Sequence, residues 1–306
     1  MAEDYPGTVM EFERRFSTEA QCRQYLARLR WPDGFRCPGC RGAEHWDMGG
    51  GRILCRGCRR QVSVLAGTIF QGTHLPLATW FRAMWYLTSQ KGGVSALGLQ
   101  RVLGLGSYRT AWAMLHKLRA AMVRPGRELL RGTVEVDETF WGGAERGVAG
   151  RLTVTKALII VAAEEDGAGI GRIRMQRIPD QTRASLHGFI GRSVATGSTV
   201  RTDGWSAYLG LEGYTHLPEI QKRSGDHLLP RVHRVVSLFK RWVLGTHQGA
   251  ISHEHLDGYL DEFTFRFNRR TSRSRGKLFF RLAQQAVRVP PKPYTSLIRP
   301  QQVDIG

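Results

Sequence analysis

The chain has 306 residues, 42 % of them hydrophobic and 23 % charged, an ordinary globular composition with room for two domains and a small extra module. Its charge is not ordinary: 45 Lys+Arg against 26 Asp+Glu give a formal +19, spread along the chain and mostly arginine. A polyanion is the expected partner, and nucleic acid is favoured over a membrane because no long basic amphipathic segment stands out. The N-terminus, MAEDYPGTVMEFERRF, has acids where a signal peptide needs bases, and no run approaches the ~18 apolar residues of a membrane helix. A soluble, cytoplasmic chain with no membrane partner is expected.

In chain order, EAQCRQYLARLRW reads as a helix with Cys22, Tyr25, Leu26 and Leu29 on one stripe, where Cys22 serves as a small hydrophobe. Two CxxC pairs follow, Cys37-Pro-Gly-Cys40 and Cys55-Arg-Gly-Cys58, fourteen residues apart. Each pair makes a tight knuckle that can aim two thiolates at one tetrahedral ion, so Cys37, Cys40, Cys55 and Cys58 are expected to hold a structural Zn2+. Disulfides are disfavoured in a cytoplasmic chain. Arg41, Arg52, Arg56, Arg59 and Arg60 crowd the module and give it a phosphate-binding exterior.

After Gly72 the pattern turns helical. Leu77–Ser89 is rich in aromatics and reads as core, and Ser95–Leu103 and Ser107–Met122 flank a Gly-Leu-Gly turn, with Ser95 and Ser107 as N-caps. The second of these helices carries Arg109, Lys117 and Arg119, as a helix-turn-helix would, although a plain helical hairpin has the same pattern.

From Gly132 strands take over. Thr133–Val136 reads as a short strand delivering Asp137 at its end, before Glu138 and a Gly-Gly turn. Ala157–Ala163 is a continuous apolar run, the mark of a strand buried on both faces, and Gly171–Ile178 returns as its antiparallel partner. A helix at Arg183–Val194 leads to the strand Thr199–Asp203, which again ends on an aspartate followed by glycine. Three strands, a helix and a further strand carrying acids resemble the ribonuclease-H-like fold. Paired aspartates suit two Mg2+ ions about 4 Å apart that clamp the attacking and leaving oxygens of a phosphodiester. Beyond Pro230, Arg231–Gly245 shows an apolar stripe of Val232, Val235, Val236, Phe239, Trp242 and Val243, with His233 and Lys240 together on another face. That helix has no acid, so His233 is its best candidate for a third catalytic group. Tyr259–Arg270 reads as a helix ending in the basic run FNRRTSRSRGK, a candidate contact to the DNA backbone, and the chain beyond Val289 reads as an irregular tail.

Seven stretches, taken in order, carry a resemblance over nearly the whole chain. They are RWPDGFRCPGC (Arg30–Cys40), the second cysteine knuckle, TAWAMLHKLRAAM (Thr110–Met122), VEVDETFWGG (Val134–Gly143), RTDGWSAY (Arg201–Tyr208), VHRVVSLFKRW (Val232–Trp242) with GTHQG (Gly245–Gly249), and YLDEFTFRFNRR (Tyr259–Arg270). The sequence resembles bacterial insertion-sequence transposases with an N-terminal zinc ribbon and a ribonuclease-H-like catalytic domain. Their catalytic set is Asp, Asp, then Asn, Glu or His, then Lys.

The resemblance implies Asp137, Asp203, His233 and Lys240 as catalytic residues, the histidine subgroup, with Asp137 and Asp203 holding two Mg2+ or Mn2+ ions. Glu135 and Glu138 are left outside the site. The chain departs from relatives that read Ser-Asn-Leu-Lys: here the stretch is Ser237-Leu238-Phe239-Lys240.

The expected architecture is α/β, a ribonuclease-H-like mixed sheet flanked by helices and preceded by a zinc ribbon and a helix-turn-helix-like segment. The expected division is 1–75 for the N-terminal helix and ribbon, 76–123 for the helical DNA-binding segment, 132–275 for the catalytic domain and 276–306 for a C-terminal helix and tail. The implied activity is cleavage and strand transfer at element ends in double-stranded DNA, by a homo-oligomer that associates with the nucleoid when acting. The alternative is a DNA-binding protein that relies on ribbon and helix-turn-helix alone and has no use for Asp137 or Asp203.

Overall fold

The computed structural model describes residues 3–124, 126–143, 156–219 and 228–298. It divides into two compact units, Met1–Arg124 with Thr271–Gly306, and Pro125–Arg270.

The first unit is built on aromatic packing. Its helices are α1 (Val9–Arg15), α2 (Glu19–Arg30), α3 (Leu77–Ser89), α4 (Ala96–Leu103) and α5 (Tyr108–Ala120), joined late in the chain by α9 (Arg275–Ala286) and α10 (Tyr294–Ile298). Phe12, Phe16, Tyr25, Phe81 and Trp85 cluster around Phe279 of α9 with ring centroids 5.5–6.2 Å from it. The Cys22 stripe of α2 is buried as its spacing predicts. Thr18 and Gln21 form a reciprocal capping box at the start of that helix. Ser95 and Ser107 cap α4 and α5 through their hydroxyls, and Gly104 supplies the left-handed turn after α4 at φ 61°.

Exposed residues of α5 are confined to its start. Arg119 is 1 % exposed, with its Nη1 3.2 Å from His116 Nε2, and burial lowers the pKa of Lys117. Of the three basic residues that suggested a helix-turn-helix, Arg109 alone is exposed, and the ring of Tyr294 in α10 lies under its guanidinium. The tail expected to be irregular thus contains a short helix; residues 299–306 lie outside the described part.

Three short antiparallel strands, β1 (His45–Asp47), β2 (Arg52–Cys55) and β3 (Gln61–Ser63), form the ribbon in the order β1-β2-β3. Arg30 ties it to α2 by donating to the carbonyls of Ser63 and Val64 at 3.1 and 2.7 Å.

The second unit is a five-stranded sheet in the order β6-β5-β4-β7-β8. Its strands are β4 (Thr133–Trp141), β5 (Ala157–Asp166), β6 (Gly169–Ile178), β7 (Thr199–Asp203) and β8 (Thr215–Glu219). β4, β5 and β6 are antiparallel neighbours, whereas β7 runs parallel to β4 and β8 parallel to β7. This mixed sheet, with helices on both faces, is the ribonuclease-H-like arrangement. On one face α6 (Arg183–Ser193) covers Val134, Val136, Leu158, Ile160 and Ala162. On the other, α7 (Pro230–His247) and α8 (Leu256–Phe267) cover Ile159, Val161, Ala163, Ile173 and Met175. The run Ala157–Ala163 is buried throughout because β5 alternates its side chains between these two cores.

Candidate active site and zinc centre

The acids follow from strand alternation. On β4, Val134 and Val136 face α6, so Glu135 and Asp137 face α7. On β7, Val200 belongs to the α6 core and Arg201 pairs with Glu135, so Asp203 faces the same side as Asp137. Asp137 and Asp203 each lie two residues past that pair on adjacent parallel strands. Asp137 does not end its strand: β4 runs on through Trp141, and its pairing with Val161 of β5 places it near the middle.

Helix α7 presents His233 to this pair, with Nε2 3.3 Å from Asp137 Oδ2. Asp137 Oδ1 accepts from the Glu138 amide at 2.8 Å, and Asp203 Oδ1 accepts from the Trp205 amide at 3.1 Å in a tight turn. Burial holds the Asp137 carboxyl above the ordinary carboxylate range. The Glu138 amide and His233 pull it down, while the charge of Asp203 pushes it up. A partly buried acid beside a second acid is a set of hard oxygen donors whose repulsion a divalent cation relieves, so these residues fit Mg2+ or Mn2+. The structure thus brings His233 against Asp137, with Asp203 on the neighbouring strand close enough for its charge to act on Asp137. Lys240, half-buried, lies two turns farther along α7, about 10.5 Å along the axis.

The two glutamates beside Asp137 have different partners. Glu138 faces α6, where its Oε1 accepts from the buried Tyr208 hydroxyl at 2.7 Å. Because Tyr208 follows Asp203 by five residues, this bond ties together the two segments that carry the aspartates. Burial, and then the Glu138 charge, keep the Tyr208 phenol well above its ordinary pKa, so it remains a donor. Glu135 is fully buried and takes the Arg231 and Val232 amides together with the Arg231 guanidinium. Sequence reasoning missed both partnerships. The only signal was the alternation that set Glu135 on the Asp137 face and Glu138 on the other.

The four knuckle cysteines form the metal-ligand group found among the described residues, with all sulfurs within 4.8 Å of one another. Cys37 and Cys58, and likewise Cys40 and Cys55, stand 3.5 Å apart. A zinc tetrahedron with ~2.3 Å bonds has sulfur–sulfur edges of about 3.8 Å, which this set fits. The Cys40 amide, first among several donors to its sulfur, lowers the Cys37 thiol to about 6. Cys40 behaves oppositely: the Gly42 amide lowers it, but the neighbouring thiols outweigh that and raise it to about 11. Cys37 and Cys40 thus hold their protons unequally, and a cation bound by the cluster would replace them. Outside the cluster, Trp46 is 42 % exposed with the guanidiniums of Arg56 and Arg59 5.2 and 5.1 Å from its ring centroid, so the ribbon's exterior is cationic as expected.

Comparison with known proteins gives matches over both regions. Residues 129–268 match the ISXO2-like transposase domain, and residues 17–61 match the transposase zinc-ribbon domain. A protein of Halobacterium salinarum described as an uncharacterized protein in transposable element ISH50 is 27 % identical over 278 residues, covering 83 % of this chain and 92 % of its own. No solved structure matches the chain. Among the described residues, no helix is long and apolar enough to cross a membrane.

Proposed function

We propose that the chain, similar to insertion-sequence transposases in both its transposase domain and its zinc ribbon, binds its element's ends and catalyses metal-dependent DNA cleavage and strand transfer. The supporting observation is the convergence of three side chains from three elements: Asp137 of β4, Asp203 of β7 and His233 of α7, with the imidazole 3.3 Å from the Asp137 carboxylate. A protein that only binds DNA has no use for two acids on one sheet face, where the Asp203 charge opposes ionisation of Asp137.

In this reading Asp137 and Asp203 would hold two divalent ions. Bound Mg2+ or Mn2+ supplies Lewis acidity toward phosphodiester oxygens, both the attacking water or 3′-hydroxyl and the leaving oxygen. His233 completes or orients the set from the α7 side, and the Glu138 amide orients Asp137. Lys240 contacts a DNA phosphate near the cut. The ribbon, its fold held by zinc on Cys37, Cys40, Cys55 and Cys58, contributes duplex contacts through its arginines, and the enzyme works as a homo-oligomer on paired ends in the nucleoid. A neutral imidazole ligand adds no charge and favours Mn2+ over Mg2+.

The test is an in vitro reaction on labelled element ends with Mg2+ or Mn2+. Cleavage followed by joining is expected, stronger in Mn2+ and lost in Asp137→Ala and Asp203→Ala, with DNA binding retained. Hydrolysis without joining would make the protein a nuclease. Binding with no metal-dependent cleavage would make it a DNA-binding protein alone. Equal or better joining in Mg2+ would remove His233 from the ligand set.

A further inference from the structure

Helix α7 carries His233, yet its own sequence leaves its start uncapped. Leu229 at the N-cap position offers no side-chain acceptor, and Pro230, the first helical residue, has no N–H. The helical ladder opens with the His233 amide donating to the Leu229 carbonyl at 3.1 Å. The amides of Arg231 and Val232 therefore need an acceptor from elsewhere. Glu135, 96 residues away in sequence, provides it: Oε2 accepts both, at 2.8 and 3.0 Å. Oε1 accepts from Arg231 Nη1 at 3.0 Å, and the residue is 0 % exposed. A carboxylate at this position also meets the positive end of the helix dipole.

Arg231 extends the clasp by donating from Nε to the Gly169 carbonyl and from Nη2 to the Gly167 carbonyl, each at 3.0 Å. Glu165 accepts from Arg231 and from Arg201 at 3.0 and 2.8 Å, and Glu219 also pairs with Arg201. Glu135 is thus fully engaged and inaccessible, so it is no metal ligand. What it shares with the aspartate is register. Glu135 and Asp137 are two residues apart on one face of β4, and their partners Arg231 and His233 are two residues apart in the first turn of α7.

We propose that Glu135 is a positioning residue, a carboxylate cap supplied by β4 that seats the first turn of α7 so that His233 meets Asp137. This inference rests on the active-site reading given above. Fraying of the first turn displaces His233, the fourth residue of α7, while Lys240, the eleventh, stays within the continuous ladder.

Two measurements on the full-length protein separate positioning from a general contribution to stability. In hydrogen exchange, Glu135→Gln should speed the amides of residues 231–233 by roughly fivefold or more, the scale of a lost cap, with β5 amides unchanged. Unchanged exchange at those residues would overturn the proposal. In cleavage, Glu135→Gln should cost on the order of 100-fold in wild type, the scale of a misplaced catalytic group, but no more than about threefold in a His233→Ala background. Equal losses in both backgrounds would show that Glu135 does not act through His233 and would likewise overturn it. Should Glu135→Gln fail to fold, Glu135→Asp keeps the charge facing Arg231 and Arg201 but withdraws it from the amides, and the same two outcomes apply. If wild type and Asp203→Asn are equally inactive, the active-site reading fails, and the exchange result alone decides whether Glu135 seats the helix.

Discussion

Replacing Asp137 with asparagine should stabilise the metal-free protein while abolishing its chemistry. Burial and the Asp203 charge raise the folded-state pKa of Asp137, so the ionised side chain opposes folding at neutral pH. The sign follows from linkage: between the unfolded value, near 3.8, and the raised folded value, the native state binds more protons. Stability contributed at this site falls as pH rises through that window and is lowest above it. Asparagine removes the charge and keeps an oxygen for the Glu138 amide now bonded at 2.8 Å, and the lost pairing is with a half-exposed histidine, worth little.

With the Asp137 side chain only 18 % exposed, the gain should appear as a higher Tm of the second unit in the absence of metal. Metal reverses the ranking. At Mn2+ near 100 times its Kd, wild type gains about 2.7 kcal/mol, while the variant, lacking the shared ligand, gains far less. Scanning calorimetry in metal-depleted buffer, without chelator so that zinc stays in the ribbon, and then with Mn2+, reads both effects. A lower Tm for Asp137→Asn without metal, or equal stabilisation of both proteins by Mn2+, would refute the electrostatic argument.

Tyr208→Phe removes the 2.7 Å bond to Glu138, a hydrogen bond to a charged group, so urea unfolding should show a loss of about 1.5–3 kcal/mol. Cys55→Ser should abolish binding of the one zinc per chain expected by metal analysis, with loss of ribbon structure in circular dichroism and of DNA affinity in a mobility-shift assay. Gly276→Ala should destabilise the first unit by about 1–3 kcal/mol, because the new Cβ would run into the Pro6 carbonyl where the N-terminal segment crosses α9. Thermal unfolding measures that loss.

Local signals carried much of the architecture. The cysteine knuckles, the helix caps Ser95 and Ser107, the apolar run of β5 and the stripe of α7 each follow from a short-range rule and appear in the structure where the rule puts them. Where distant partners decide, local reading stopped short. Thr133–Val136 looked like a complete strand because Asp137-Glu138 is a poor strand sequence, yet pairing with β5 extends β4 to Trp141. β8 went unread because His216-Leu217-Pro218 has no clear alternation; among the described residues it is an edge strand paired to β7, the place where a proline is tolerated. The sequence groups Arg119 with Arg109 and Lys117 as the basic content of a helix-turn-helix, whereas packing of the first unit buries it.

The four residues of β4 from Val134 to Asp137 divide their work by parity. The valines bind α6 to the sheet through apolar contact, which tolerates small displacements. The acids face α7, and hydrogen bonds of definite length and direction do not tolerate such displacements. A packed apolar stripe alone would let α7 slide along the sheet by a fraction of a turn, and 1.5 Å of slip equals one whole residue of helix rise. Anchoring the first turn of α7 to the carboxylate two residues before Asp137 removes that freedom at the end of the helix where His233 stands. In the sequence Glu135 looks like one more acid beside Asp137, because two of its partners are backbone amides, which no residue identity announces.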